Sequence, residues 1–127
     1  MTEEPRNLDH EAALAAQAIL DDPGVGPRAK SLENVLRRTA AILQEQGIYA
    51  AILYLHAKEK DLGAPVAKHL LHLCVSIAGG ELSDDAKPTA QLAYLTERVT
   101  NNISNTLLVR HIWEQTLVYG IYHCKTF

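Results

Sequence analysis

The chain has 127 residues, 47% of them hydrophobic, and a formal net charge of −3, which fits one domain (1–127) with a modest core. Its longest apolar run, at residues 48–55, is far short of the roughly 18 residues that cross a bilayer, and the polar start MTEEPRNLD is unlike a signal peptide. Two cysteines, Cys74 and Cys124, are too few for a disulfide scaffold, which predicts reduced thiols in a cytoplasmic protein.

The first predicted helix covers 10-HEAALAAQAIL-20, an alanine-rich segment with Asp9 as its N-cap. Residues 1–8 before it are predicted to be a flexible acidic segment. The turn 21-DDPGVGP-27 ends the helix, because two prolines and two glycines in seven residues cannot continue it.

A second helix is predicted from Pro27, with Gly26 as its cap, to Gln46. Its apolar positions follow the spacing of one buried stripe. They are Leu32, Val35, Leu36, Thr39, Leu43 and Gln46, with Ile42 alongside. Gly47 then suits the left-handed residue that closes a helix, so a new helix is predicted to start at an angle from Ile48.

Nearly every residue from 48 to 55 is apolar, which predicts that the third helix is the central buried one. The charged stretch 58-KEKD-61 returns the chain to solvent. Ala64 and Pro65 are predicted to open a fourth helix that runs to about residue 78. Its core stripe comprises Val66, Leu70, Leu73 and Ile77, and two glycines follow it.

The segment 80-GELSDDAKP-88 is predicted to be a polar loop, and the pattern is helical again from 89 to about 123. Poor helix formers cluster in 101-NNISN-105, so we expect either one long helix with a flaw there or two helices that meet there. No stretch shows the alternation of a strand. The sequence therefore predicts an all-α protein, a compact bundle of five or six helices.

Charge is distributed unevenly along the chain. Residues 1–22 hold six acids and one base, which leaves nine acids and eleven bases in 23–127. One face of the second helix carries Lys30, Asn34, Arg37, Ala41 and Gln44, with Arg38 at its edge. Such a face is typical of a solvated helix surface, and it also suits contact with phosphates.

Residues that could support catalysis are few. His69 and His72 lie three apart near Cys74, with His56 upstream, but a structural zinc needs four converging ligands. His123 and Cys124 lack a third residue that would orient them as a nucleophile pair. We therefore predict a protein that is not an enzyme and has no metal or cofactor. A small helical ribonuclease or metal-dependent enzyme built on the three histidines is a less favoured hypothesis.

One segment resembles a known family. It contains, in order, a helix with arginines, a polar residue, a glycine and an apolar segment that ends in Ala-Lys. In this order it resembles the small helical subunit of type III CRISPR effector complexes, of the Cmr (type III-B) kind. The similarity is clearest over residues 32–60, and 91-QLAYLTERV-99 is similar to the closing helix of the family. The matching residues are Leu43, Gln46, Gly47, Ile48, Ala51, Leu53, Leu55 and Lys58.

The resemblance implies a non-catalytic subunit that stacks in several copies beside larger RNA-gripping backbone subunits. Such subunits line the channel that holds guide RNA paired with target RNA, and their basic residues contact the nucleic-acid backbone without reading its sequence. In this chain the cations expected to do so are Lys30, Arg37, Arg38, Lys58, Lys68, Arg98 and Arg110.

An interpretation from another class is a helical protein–protein adaptor with no nucleic-acid role. The apolar end of the chain, 117-LVYGIYHCKTF-127, suggests docking against the body of the protein or against a neighbouring chain. The adaptor hypothesis predicts one dominant protein partner and no bound RNA.

Overall fold

A computed structural model describes residues 7–126, which form six helices and no strand. The predicted all-α bundle is therefore confirmed. The helices are α1 (Leu8–Asp21), α2 (Ala29–Gln46), α3 (Ile48–Lys58), α4 (Lys60–Ala78), α5 (Pro88–Arg98) and α6 (Ile103–Thr126).

The starts of α1 and α2 differ from their predicted positions. Asn7, and not Asp9, caps α1, because its side chain accepts a hydrogen bond from the amide of His10 at 3.1 Å. Of the N-terminal segment predicted to be flexible, residues 1–6 lie outside the described residues, and Leu8 already belongs to α1. Helix α2 likewise begins later than predicted, two residues after Pro27. Residues 22–28 form a turn in which the Arg28 side chain donates hydrogen bonds to the carbonyl oxygens of Gly24 and Val25.

Gly47 lies between α2 and α3, as predicted. It ends α2 through a hydrogen bond from its amide to the carbonyl oxygen of Leu43 at 3.0 Å, and its own carbonyl accepts from Ala51 in α3. Its φ of 95° is positive, but its ψ of −175° differs from that of the predicted left-handed cap. This region of the backbone map is open almost only to glycine. One residue thus ends one helix and starts the next.

The prediction that α3 is the central buried helix is wrong. One face of α3 is open to solvent, with Tyr49 40% and Leu53 48% exposed. The central helix is α6, which packs against α1, α2 and α4. Its Trp113 is fully buried and donates a hydrogen bond from the indole nitrogen to the carbonyl oxygen of Leu70 at 2.8 Å. The C-terminal helix therefore docks against the body of its own chain.

The start of α4 also lies earlier than predicted, at Lys60, so that Pro65 is inside the helix. As the sixth residue of α4, Pro65 cannot donate a hydrogen bond to the carbonyl of Asp61, and its buried ring packs against Gly24 in the turn before α2. At Gly63 any side chain would meet the carbonyl oxygen of Leu55. This close approach makes the sharp corner between α3 and α4.

The helical stretch that begins near residue 89 is interrupted, which confirms the two-helix alternative. Helix α5 ends at Arg98, and Asn102 caps α6 by accepting a hydrogen bond from the amide of Asn105 at 3.1 Å. Thr106 also bonds back to the carbonyl of Val99. The polar residues in this segment bond to the backbone and so separate the two helices.

Helices α2 and α6 run antiparallel and in close contact. Arg110, early in α6, donates to the carbonyl oxygen of Gln44 near the end of α2 at 2.6 Å. Gly120, late in α6, lies against Leu36, so close that an added Cβ would be 2.8 Å from the leucine Cδ1. This register aligns the C-terminal turns of α6 with the first half of α2.

Candidate nucleic-acid interface

The predicted basic face of α2 is open to solvent along its length. Lys30, Asn34, Arg37, Ala41 and Gln44 are all exposed, whereas the predicted stripe from Leu32 to Leu43 is buried apart from the half-buried Ile42. Gln46, predicted to belong to that stripe, is exposed because it lies in the last turn of the helix. The amphipathic pattern of α2 thus separates its core side from its cationic side.

Arg37 keeps much of its charge accessible. Its Nε donates to the Glu33 carboxylate one turn earlier at 3.0 Å, and 47% of its side chain remains exposed. A pair of this kind on a helix surface is weak. Another anion can therefore compete with Glu33 for the guanidinium.

Arg38 has a different role, because it connects α2 to the corner between α3 and α4. Its guanidinium binds both oxygens of the Glu59 carboxylate, at 2.7 and 3.0 Å, and its Nε also contacts the Tyr54 hydroxyl at 3.0 Å. Tyr54 donates to the same carboxylate at 2.5 Å. The Arg38 contact lowers the pKa of Glu59. We call these three residues the corner clamp.

Lys58 and Arg98 are both exposed and lie at the ends of other helices. Lys58 is in the last turn of α3, one residue before Glu59 of the corner clamp. Arg98 is in the last turn of α5, where its guanidinium lies beside Gly80. Positive charge at the end of a helix also interacts favourably with the helix dipole. Neither residue is on the α2 face.

Lys68 points into an ion pair with Asp22. Its Nζ lies 2.9 Å from the carboxylate, which also accepts from His69 at 2.8 Å and from the amide of Gly24 at 2.7 Å. Burial opposes ionisation of Asp22, but these donors outweigh it and lower its pKa to about 2. Because Asp22 follows α1 and Lys68 belongs to α4, the pair fixes one helix to the other.

The surroundings of Lys68 are acidic. A cavity of about 490 Å³ next to Asp22 and Lys68 is also lined by Asp61, Asp84 and Asp85. We call it the acidic cavity. Its three further carboxylates repel the phosphates that Lys68 was predicted to contact.

Arg110 lies near the far end of the exposed α2 face. It binds the carbonyl of Gln44 and approaches Glu114 at 3.3 Å, with 38% of its side chain exposed. The seven predicted cations therefore fall into separate groups. Arg37 and Arg110 lie where α2 meets α6, and Lys30 is exposed on the same face of α2 as Arg37. Arg38 and Lys58 lie at the corner clamp. Lys68 and Arg98 lie elsewhere.

Tyr122 and Lys125, which are not among the predicted site residues, lie beside Arg37. Tyr122 and Lys125 from the last turns of α6 line a cavity of about 260 Å³ together with Arg37, Val118 and Ile121. The spacing of Tyr122 and Lys125 puts them on one side of α6. The sequence does not reveal that this side meets α2, because no local pattern specifies which helices pair.

The histidines have separate partners. His56 contacts Gln91 at 2.5 Å, His69 contacts Asp22, and His72 contacts Asp84 at 2.5 Å. Within residues 7–126 no group of three or more His, Cys, Asp or Glu residues could hold a metal ion. Burial raises the pKa of both the Cys74 and the Cys124 thiols, which opposes formation of the reactive thiolate.

Comparisons with protein-family models, curated proteins and solved structures find no match to this chain. None of the helices among residues 7–126 has the length and apolar character that a membrane span requires.

Proposed function

We propose that this chain is the non-catalytic small subunit of a type III CRISPR RNA-guided effector complex. Several copies stack along the duplex of guide and target RNA, beside larger RNA-gripping backbone subunits, and support antiviral defence in the cytoplasm. Each copy contacts the nucleic-acid backbone through basic residues, without reading its sequence.

The observation that carries this proposal is the exposed cationic face of α2. Lys30 and Arg37 project from one side of a helix whose opposite side is buried in the core. Cations held on a rigid element suit phosphate contact, because little order has to be gained on binding. The net charge of −3 predicts that an isolated copy binds RNA weakly and that assembly supplies most of the affinity.

The helix–glycine–helix segment adds support. Gly47 joins α2 to α3 without any intervening loop, and Ile48, Ala51 and Leu55 of the segment are buried. A turn this short holds the two helices at a fixed angle. That rigidity is what a subunit needs if it presents one face to RNA and others to neighbouring copies.

The test is mild affinity purification of the tagged chain from its own host, followed by mass spectrometry and RNA sequencing. We expect large RNA-binding proteins, together with short RNAs of uniform length that share a repeat-derived 5′ handle. A preparation with one protein partner and no RNA would contradict the proposal.

A charge-reversal variant tests the α2 face directly. We expect Lys30→Glu combined with Arg37→Glu to weaken retention of target RNA by the assembled complex, most clearly at moderate salt. Arg38 is left unchanged, because reversing its charge would disrupt the corner clamp. Lys87→Glu, at an exposed lysine before α5, is the control. Equal RNA retention in the double variant and the control would remove the α2 face from the interface.

A protein–protein adaptor is a second candidate, favoured by apolar residues exposed at one end of the bundle. Ile103 is 79% and Leu107 62% exposed in the first turns of α6. Arg110 contacts the end of α2, and Ile103 and Leu107 precede Arg110 in α6. The two apolar residues therefore lie beyond the end of α2, toward the start of α3, where Tyr49 is exposed. The purification described above distinguishes the two candidates.

A further inference from the structure

Tyr122 is an exposed side chain of α6 that shares a cavity with Arg37 of α2. It is 64% exposed, a large fraction for an aromatic side chain in the second-last turn of a well-packed helix. It lines the cavity that contains Arg37 and Lys125, and also a second cavity of about 260 Å³ formed with Tyr119, His123 and Thr126. Tyr122 therefore lines two open cavities, from which a flat ligand can approach it.

Cations lie along the same groove. Lys125 lines the cavity with Tyr122 and Arg37, and the antiparallel register, with Arg110 at Gln44 and Gly120 at Leu36, directs the end of α6 toward the first turns of α2, where Lys30 is exposed. Lys30 and Arg37 are seven residues apart on one face, a distance of about 10 Å. Tyr122 is thus flanked by positive charge along the groove.

Two carboxylates of the groove are paired with its arginines, and a third, Asp9, accepts a hydrogen bond from the Tyr119 hydroxyl at the second cavity. Glu33 contacts Arg37, and Glu114 contacts Arg110. Lys30 and Lys125 are exposed cations in addition to those two pairs. The cavity shared by Arg37, Tyr122 and Lys125 is thus lined by cations without a carboxylate, in contrast to the acidic cavity, where three further aspartates accompany one ion pair.

We infer that the groove between α2 and α6 binds single-stranded RNA, with one base stacked on Tyr122 and the neighbouring phosphates at Arg37 and Lys125. An exposed aromatic ring between cations is the arrangement by which proteins hold unpaired nucleotides without reading sequence. A base inside a duplex cannot reach the ring, because it is stacked between its neighbours. The ligand is thus an unpaired stretch of RNA. The inference rests on the RNA contact of the proposed function and on no other part of it.

The test is a nuclear magnetic resonance titration of the full ¹⁵N-labelled chain with oligouridine at low salt, which detects weak binding residue by residue. We expect amide shifts in residues 30–37 and 118–125, and weaker binding of an RNA duplex of equal length. Tyr122→Ala should weaken oligouridine binding about tenfold, whereas Tyr122→Phe, which keeps the ring, should bind like the original chain. Tyr49→Ala, at an exposed tyrosine on α3, is the matched control.

The possible outcomes separate the inference from the proposed function. Amide shifts that cluster elsewhere, for example near Lys58 and Arg98, would contradict RNA binding in the groove and would leave RNA contact by the protein intact. Equal weakening by Tyr122→Ala and Tyr49→Ala would also overturn it. If oligouridine causes no shifts at any concentration while the purified complex contains guide RNA, the groove is overturned and the effector assignment stands. A protein partner that is lost on Tyr122→Ala, with no change in RNA binding, would make the groove a protein-docking site.

Discussion

The α2–α6 groove and the acidic cavity both contain a cation paired with a carboxylate, but the pairs differ in burial. At the acidic cavity the Asp22 side chain is 6% and the Lys68 side chain 32% exposed. In the groove, Glu33 and Arg37 are 23% and 47% exposed. A buried carboxylate needs its partners to remain folded, whereas an exposed pair can exchange them. The same residue types therefore stabilise the fold in one region and remain available to a ligand in the other.

The largest expected effect is the loss of the buried carboxylate. We predict that Asp22→Ala lowers the free energy of unfolding by about 3 kcal/mol, because three donors from α4 and the turn lose their shared acceptor. Urea unfolding followed by circular dichroism measures the change. The matched variant Asp61→Ala, at an exposed aspartate that lines the same cavity, should change stability by less than about 0.5 kcal/mol. Equal effects of the two variants would contradict the structural role of Asp22.

Lowering the pH should reduce the stability that Asp22 contributes. The folded-state pKa of Asp22 is lowered from 3.8 to about 2, so its contribution is present above pH 4 and is lost as the pH falls through 2. The shift corresponds to about 2 kcal/mol. Urea unfolding at a series of pH values measures this loss, and in Asp22→Asn the acid-dependent slope should be smaller. An unchanged slope would show that other carboxylates are responsible.

His69 adds a smaller loss in the same direction but at higher pH. Burial lowers its pKa below the ordinary value of 6.5, although Asp22 opposes the shift. The folded state therefore binds fewer protons than the unfolded state, and stability should begin to fall as the pH drops below 6.5. His69→Gln should remove this early part of the pH dependence, and an unaltered profile between pH 7 and pH 5 would contradict it.

The corner clamp is intermediate between the two regions, since the Glu59 side chain is 7% and the Arg38 side chain 54% exposed. We predict that Glu59→Gln costs about 1 kcal/mol, because the hydrogen bonds weaken when the acceptor loses its charge. Glu45→Gln, at an exposed position on α2, is the control for loss of one negative charge. If Glu59→Gln lowered the free energy of unfolding as much as Asp22→Ala, the corner clamp and the acidic cavity would not differ in the strength of their ion pairs.

The smallest effect on stability is expected in the groove itself. Arg37→Gln should change the free energy of unfolding by less than about 0.5 kcal/mol, since its pair with Glu33 is an exposed pair within one helix. The same variant should weaken oligouridine binding and make it less dependent on salt. Urea unfolding and the titration measure the two effects separately. A variant that loses stability as well as RNA binding would mean that Arg37 has a structural role.

The sequence predicts the local features of this fold well, because local rules produce them. The stripe from Leu32 to Leu43 follows from helical periodicity, and Gly47 follows from the need for positive φ between helices that have no loop. The break near residue 101 follows from polar residues that bond the backbone. The sequence pattern identifies the seven cations, but it could not show that Lys68 forms an ion pair with Asp22 or that Arg38 forms one with Glu59.

Those pairs join residues far apart in the sequence, and they depend on which helices meet. The error about α3 has the same origin. An apolar run predicts burial, yet Tyr49 and Leu53 are exposed because α6 occupies the centre and α3 contacts the body with one face only. For the same reason Tyr122 and Lys125 could not be connected with Arg37 before the helix pairing was known.

Gly120 suggests which positions of the groove can vary. It has no side chain and lies against Leu36, so it determines how near α6 comes to α2. In a library of single substitutions, Lys30, Arg37 and Lys125 would therefore tolerate many residues while the protein still folds, because all three are exposed. Position 120 would tolerate hardly any. The residue that restricts the sequence most in this groove is thus one that carries no charge and offers a ligand nothing to bind.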